Sequence, residues 1–126
     1  MNANQKQIIK KYVKSYNHFD VEGMLHDLAD DMIFENFSNG ISELIIEGKE
    51  AFKYQAERAR QYFKDRNQAI ESWEFKEEIV TIEIDYKATL AIDLPDSLKA
   101  GDTLELKGIS IFTFENGKIK SIVDKS

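Results

Sequence analysis

Tyr12 and Tyr16 stand four residues apart in IIKKYVKSY, where apolar positions recur at helical spacing. Their rings therefore share one helical face. Phenols so placed either donate hydrogen bonds to a small molecule or pack in a core. Trp73 and Phe75, two apart, share one face of a strand. Taken together, Tyr12, Tyr16, Phe34, Asn36, Phe52, Trp73, Ser110 and Phe112 could line one apolar cavity with a few polar groups, the usual make-up of a small-molecule pocket. Asn36 and Ser110 would then supply partners to the buried phenols and indole.

Other chemistries are poorly supported. His18 and His26 lie eight apart without HxxxH or HExxH spacing, so no metal pair is expected. His18 is placed to cap a helix C-terminus. Ser110 has no His or Lys in a pattern that would make it a nucleophile. No phosphate-binding loop is present, and nothing asks for a cofactor. Glu35 should point away from a pocket that Asn36 faces, although a one-residue slip of register would reverse the two. No Asp is expected on an inner strand face, because Asp85 falls on the polar side of its strand.

The elements that would position these residues follow from periodicity. Residues 4–18 read as a first helix, and Asp20 caps a second over 21–29. Short strands are predicted at 32–37 and 43–47, separated by the turn Ser38-Asn39-Gly40. Gly48 opens a long third helix with Phe52, Gln55, Ala56, Ala59 and Phe63 inside and Asn67 as its C-cap. Beyond residue 69 the period changes to two. Strands are predicted at 69–78, 79–92, 103–115 and 118–124, the last two joined by Asn116-Gly117 in a type I′ turn. The alternation of Val80, Ile82, Ile84 and Tyr86 with Thr81, Glu83, Asp85 and Lys87 describes a sheet with one buried and one wet face. Helices segregated from such a sheet make an α+β domain, here one domain spanning 1–126.

Composition agrees. The chain has 126 residues, 42% of them hydrophobic, with eight Phe, five Tyr and one Trp, enough for a core. Its formal net charge of −6 and lack of a basic stripe argue against nucleic acid as a partner. There is no Cys, which excludes disulfides and thiolate chemistry and fits a cytoplasmic protein. The start MNANQKQIIKKYV lacks the apolar run of a signal peptide, and no segment has the length and apolarity to span a membrane.

The element order, with FDVEGMLHDLADDMIFE near the start and ELKGISIFTFENGKI near the end, resembles the nuclear transport factor 2-like superfamily, and within it the SnoaL-like branch of polyketide cyclase relatives. The resemblance covers nearly the whole chain. It implies a cone in which a curved, mixed but mostly antiparallel sheet wraps three helices from the N-terminal half, leaving a pocket at the open end. It also implies a homodimer through the outer sheet face. Apolar residues on both faces of 103–115, with Leu104, Leu106, Phe112 and Phe114 on one and Ile109 and Ile111 on the other, agree with a covered outer face.

Ketosteroid isomerases of that superfamily use a helix-1 Tyr, an Asp base after the first strand and a protonated Asp on a late strand. The resemblance carries these positions onto Tyr12, Asn36 and Ser110. Asn cannot act as a base, so that mechanism is not expected. SnoaL-type cyclases use an inward Asp, and epoxide hydrolases an Asp-Arg-Asp set. Arg58, Arg60 and Arg66 lie on or near the third helix, with no such arrangement legible. The leading expectation is a protein that binds a small, mostly apolar molecule. An isomerase, cyclase or hydrolase and a protein-interaction module with a filled core are the alternatives.

Overall fold

A computed structural model describes residues 2–95 and 97–126. Helices α1 (Asn2–Asn17) and α2 (Val21–Leu25) precede strands β1 (Leu28–Ser38) and β2 (Ile41–Glu47). Helix α3 (Lys49–Ala59) and a 3₁₀ turn (Arg60–Tyr62) lead into β3 (Phe63–Lys76), β4 (Ile79–Leu90), β5 (Thr103–Glu115) and β6 (Lys118–Lys125). The six strands form one sheet in the order β2-β1-β6-β5-β4-β3. Only β1 and β6 run parallel; the other neighbours are antiparallel. The sheet curves round the three helices, and bulges at Asn36/Phe37, Ile70/Ser72 and Thr113/Phe114 help it bend. This is the α+β class that the residue pattern predicts, in the cone form that the resemblance implies.

The core fills the concave side. Ile9, Tyr12 and Val13 of α1 meet Val80, Ile82 and Ile84 of β4, Phe112 and Phe114 of β5, and Ile119 and Ile122 of β6. The alternation in β4 is as predicted, with Glu83, Asp85 and Lys87 exposed between the buried positions. Asn116 and Gly117 both take positive φ (54° and 78°), as a type I′ turn requires. No helix among the described residues is long and apolar enough to cross a membrane.

Two helices are shorter than periodicity predicts. Helix α2 stops at Leu25 rather than at 29, because the backbone beyond it pairs with β6: the Ile119 N–H donates to Asp27 O at 2.8 Å, and Leu28 stands opposite Ile119. Helix α3 stops at Ala59, and the chain from Phe63 onward pairs with β4 instead. Asn67 is therefore not a helix cap but a strand residue opposite Lys87. A strand that starts six residues before the predicted 69 gives β4 a partner along its whole length. It also turns Arg66 inward.

Gly48 joins β2 to α3 at φ 96° and ψ 145°, a backbone conformation that a Cβ disfavours. Its N–H donates to Met32 O at 2.7 Å, which pins the helix start over β1. Gly48→Ala should therefore destabilise the protein by about 1–3 kcal/mol. The midpoint of urea unfolding measures this, and an unchanged midpoint would show that the junction relaxes freely.

Candidate functional site

A cavity of about 220 Å³ opens between α3, the β1–β2 hairpin and the start of β3. Its walls are mainly apolar. Phe34 of β1 and Phe52 of α3 meet at 5.5 Å between ring centroids, and Met24, Leu44, Ile46, Ala56 and Ala59 extend the surface. Its polar atoms come from Tyr12, Tyr16, Asn36, Gln55, Arg66, Gln68 and Asp124. Alternation explains the strand contributors. Phe34 and Asn36 lie on the inner face of β1, Leu44 and Ile46 on that of β2, and Arg66 and Gln68 on that of β3.

Asp124 is the residue of most chemical interest. It projects inward from the end of β6 and accepts a hydrogen bond from Ser110 Oγ at 2.6 Å across the β5–β6 pair. The residue keeps some accessible surface where the cavity opens onto it, yet protein surrounds the carboxyl. Burial pushes its pKa up to about 6, and the Ser110 hydrogen bond opposes the rise. A carboxyl poised there can both take and give a proton near neutral pH.

The phenols near it remain neutral donors. Burial, and next the Asp124 charge, hold the Tyr12 hydroxyl well above its usual pKa. Tyr16 is raised chiefly by burial, against the lowering effect of Arg66. Its hydroxyl lies 2.9 Å from that of Tyr86 on β4. Tyr86 too is raised, mainly by burial. Among the described residues no three His, Asp or Glu side chains converge as metal ligands would.

Of the eight residues selected from sequence, Tyr12, Tyr16, Phe34, Asn36 and Phe52 border this cavity. Ser110 stands behind Asp124 and holds it. Phe112 is 1% exposed and packs edge-on to Tyr12 at 5.7 Å, beneath the cavity floor. Trp73 lies further along β3, beyond the bulge at Ile70/Ser72, stacked on Phe75 at 5.7 Å with Lys6 over its ring. Its strand passes the cavity at Arg66 and Gln68 and reaches Trp73 only beside α1. Glu35 faces outward and accepts a hydrogen bond from Ser42 Oγ at 2.7 Å. His18 Nδ1 sits 2.7 Å from Lys14 O in the last turn of α1.

The expectation that no inner strand face carries an Asp is overturned by Asp124. The reason is a parity change in β6. Ile119 and Ile122 both point inward, three residues apart, because Phe114 pairs with Ile119 and Thr113 with Ser121, leaving Lys120 bulged. Alternation counted from Ile119 turns Asp124 outward; counted from Ile122 it turns Asp124 inward. Arg66 was hidden for a different reason, the early end of α3.

Several comparisons bear on this architecture. A family model described as a SnoaL-like domain matches residues 9–122. A proposed polyketide cyclase from Xanthomonas campestris pv. campestris superposes with a TM-score of 0.83 at 20% identity, over 98% of this chain and 90% of that one. A nuclear transport factor 2-like protein of unknown function from Burkholderia pseudomallei K96243 gives 0.76 at 16% identity, over 96% and 88%. TerC, co-crystallised with polyporic acid, gives 0.77 at 16% identity, over 96% and 89%. At such identities the structural likeness establishes the fold alone. No curated protein matches the chain.

Proposed function

The chain belongs to the SnoaL-like domain family, and on that premise we propose that it binds a small, mostly apolar molecule in the cone cavity and exchanges a proton with it through Asp124. The observation that carries this reading is the inward Asp124 carboxyl, held by Ser110 and poised near pH 6 on a mainly apolar cavity. When ionised it can accept a proton from a carbon acid or hydroxyl; when neutral it can return one. Tyr12, kept neutral by burial, is available to donate a hydrogen bond to oxygen as negative charge develops there. The cavity volume of about 220 Å³ lies below the roughly 300–1,000 Å³ usual for drug-sized ligands, which favours a small substrate or one that extends from the mouth.

A second reading keeps the ligand and drops the chemistry: the same apolar walls serve a carrier. An interaction module with a filled core is disfavoured by the open space itself. A thermal-shift screen against small apolar ketones, acids and phenols, followed by incubation of each hit in D₂O, separates these readings. Stabilisation together with deuterium uptake or conversion of the ligand, slowed about 10²–10⁴-fold by Asp124→Asn, is the expected result. Stabilisation without exchange would leave the carrier. No stabilisation by any compound would remove both.

A homodimer through the convex sheet face is part of the same proposal. That face carries Ile33, Ile45, Ile79 and Ile109, between 39% and 57% exposed, with Ile111 and Val123 between them on the central strands. Exposed aliphatics on a sheet face, here interleaved with Glu35, Ser121 and Thr113, invite a partner. Sedimentation should show a dimer at micromolar concentration and a folded monomer for Ile109→Lys. A wild-type monomer at high micromolar concentration would refute the assignment.

A further inference from the structure

We propose that the ligand is a carboxylic acid whose carboxylate is received by Arg66, an inference that rests on ligand binding in the cone cavity. Arg66 sits on the inner face of β3, is 5% exposed, and borders the cavity beside Gln68. Its guanidinium is held rigidly. Nε donates to Tyr16 O at 2.8 Å, and Cζ lies 3.7 Å from the Tyr16 ring centroid and 4.6 Å from that of Phe19. The strand beneath is also pinned: Asn17 donates to Gln68 O at 3.2 Å and accepts from the Gln68 N–H at 2.7 Å.

What the guanidinium lacks is an anion. Among the described residues no carboxylate forms an ion pair with it, and its Nη2 is buried without a hydrogen-bond partner. Acidic residues do stand near Arg66: of those on the outer groove, Asp85 pairs with Lys107 at 3.1 Å and Glu105 with Lys87 at 3.3 Å, while Asp65 on that groove and Asp124 on the cavity form no ion pair with Arg66 among the described residues. A buried charge without a counter-ion is costly, and the aromatic faces around Arg66 compensate only part of that cost. Arg66 therefore has an unmet demand for anionic oxygen at the edge of an apolar cavity.

A carboxylate answers that demand. With Nε already given to Tyr16 O, a charged carboxylate oxygen would meet the Nη edge of the guanidinium, whereas a ketone or alcohol offers no charge. An acid anchored at Arg66 would lay its apolar body against Phe34, Ile46 and Phe52 and leave its far end to face Asp124. The ligand class is thus a small acid with an apolar body, not a neutral hydrocarbon or sterol.

The test compares matched pairs by NMR titration of ¹⁵N-labelled protein at pH 7: benzoate, trans-cinnamate and 2-naphthoate, each with its primary amide. At least one acid should shift cavity resonances near Phe34 and Phe52 and bind about tenfold or more tighter than its amide. In Arg66→Met that preference should vanish while the amide's affinity holds. Equal binding of acid and amide to the wild type would overturn the role of Arg66 and leave the ligand cavity standing, as would a preference that survives in Arg66→Met. No shift of cavity resonances by any acid or amide would overturn the cavity reading and this inference together. The wild-type comparison decides the matter even if Arg66→Met does not fold.

Discussion

Asp124→Asn is expected to make the protein more stable than the wild type at pH 7–8 by about 1–3 kcal/mol, with the advantage disappearing near pH 4. The folded-state pKa of Asp124 is raised to about 6, above the ~3.9 of an unfolded chain. The folded state therefore holds this proton more tightly. That contribution to stability is fully present below about pH 4 and is lost as pH rises through about 6. A shift of about two units sets a ceiling of roughly 3 kcal/mol, and water entering the cavity lowers it. The amide of Asn stays neutral throughout and can still accept from Ser110. Other charged groups shape the pH dependence of both proteins alike; Asp31, for one, is lowered by its hydrogen bond to Lys120 and contributes at the acid end. The difference between variant and wild type cancels them. Denaturant midpoints measured from pH 4 to 8 give the two curves. Parallel curves would mean that Asp124 is solvated like a surface carboxyl, and the acid–base role would lose its basis.

Phe112→Ala should cost about 3–5 kcal/mol. Phe112 is 1% exposed and sits in the middle of the sheet, paired across the ladder with Val80 on one side and Ile122 on the other, both also buried. Its ring meets Tyr12 edge-on, so truncation removes an aromatic contact and leaves a hole under α1. The neighbours are held by strand hydrogen bonds and cannot collapse far into it. Equilibrium unfolding of the variant checks the figure. A loss below about 1 kcal/mol would place the ring on a cavity wall already open to water, where little packing is forfeited.

Both predictions depend on residues that sequence and structure treat differently. Phe112 is legible as an inward position of an alternating strand; whether it lines a cavity or lies under one is not, because that depends on how far α1 settles onto the sheet. Asp124 is two residues from the buried Ile122, so an inward reading was available. The bulge that makes it correct arises from pairing with β5 and leaves no local mark on KIKSIVDK. Arg66 reads as the end of a helix because YQAERARQYFKDR keeps a helical pattern, and only the demand of β4 for a partner turns it into strand.

By itself the sequence determined the α+β class, the inner face of α1 with Tyr12 and Tyr16, the buried row of β4, the Asn116-Gly117 hairpin and the exclusion of cysteine chemistry. These rest on periodicity, turn conformation and residue type, which are local properties. The tertiary structure alone decided where α2 and α3 stop, that Asp124 and Arg66 face one cavity, and that Trp73 does not. Each of those depends on ladder partners far away in the chain. A strand's hydrogen bonds are satisfied by its neighbour rather than by itself, and one bulged residue exchanges its two faces.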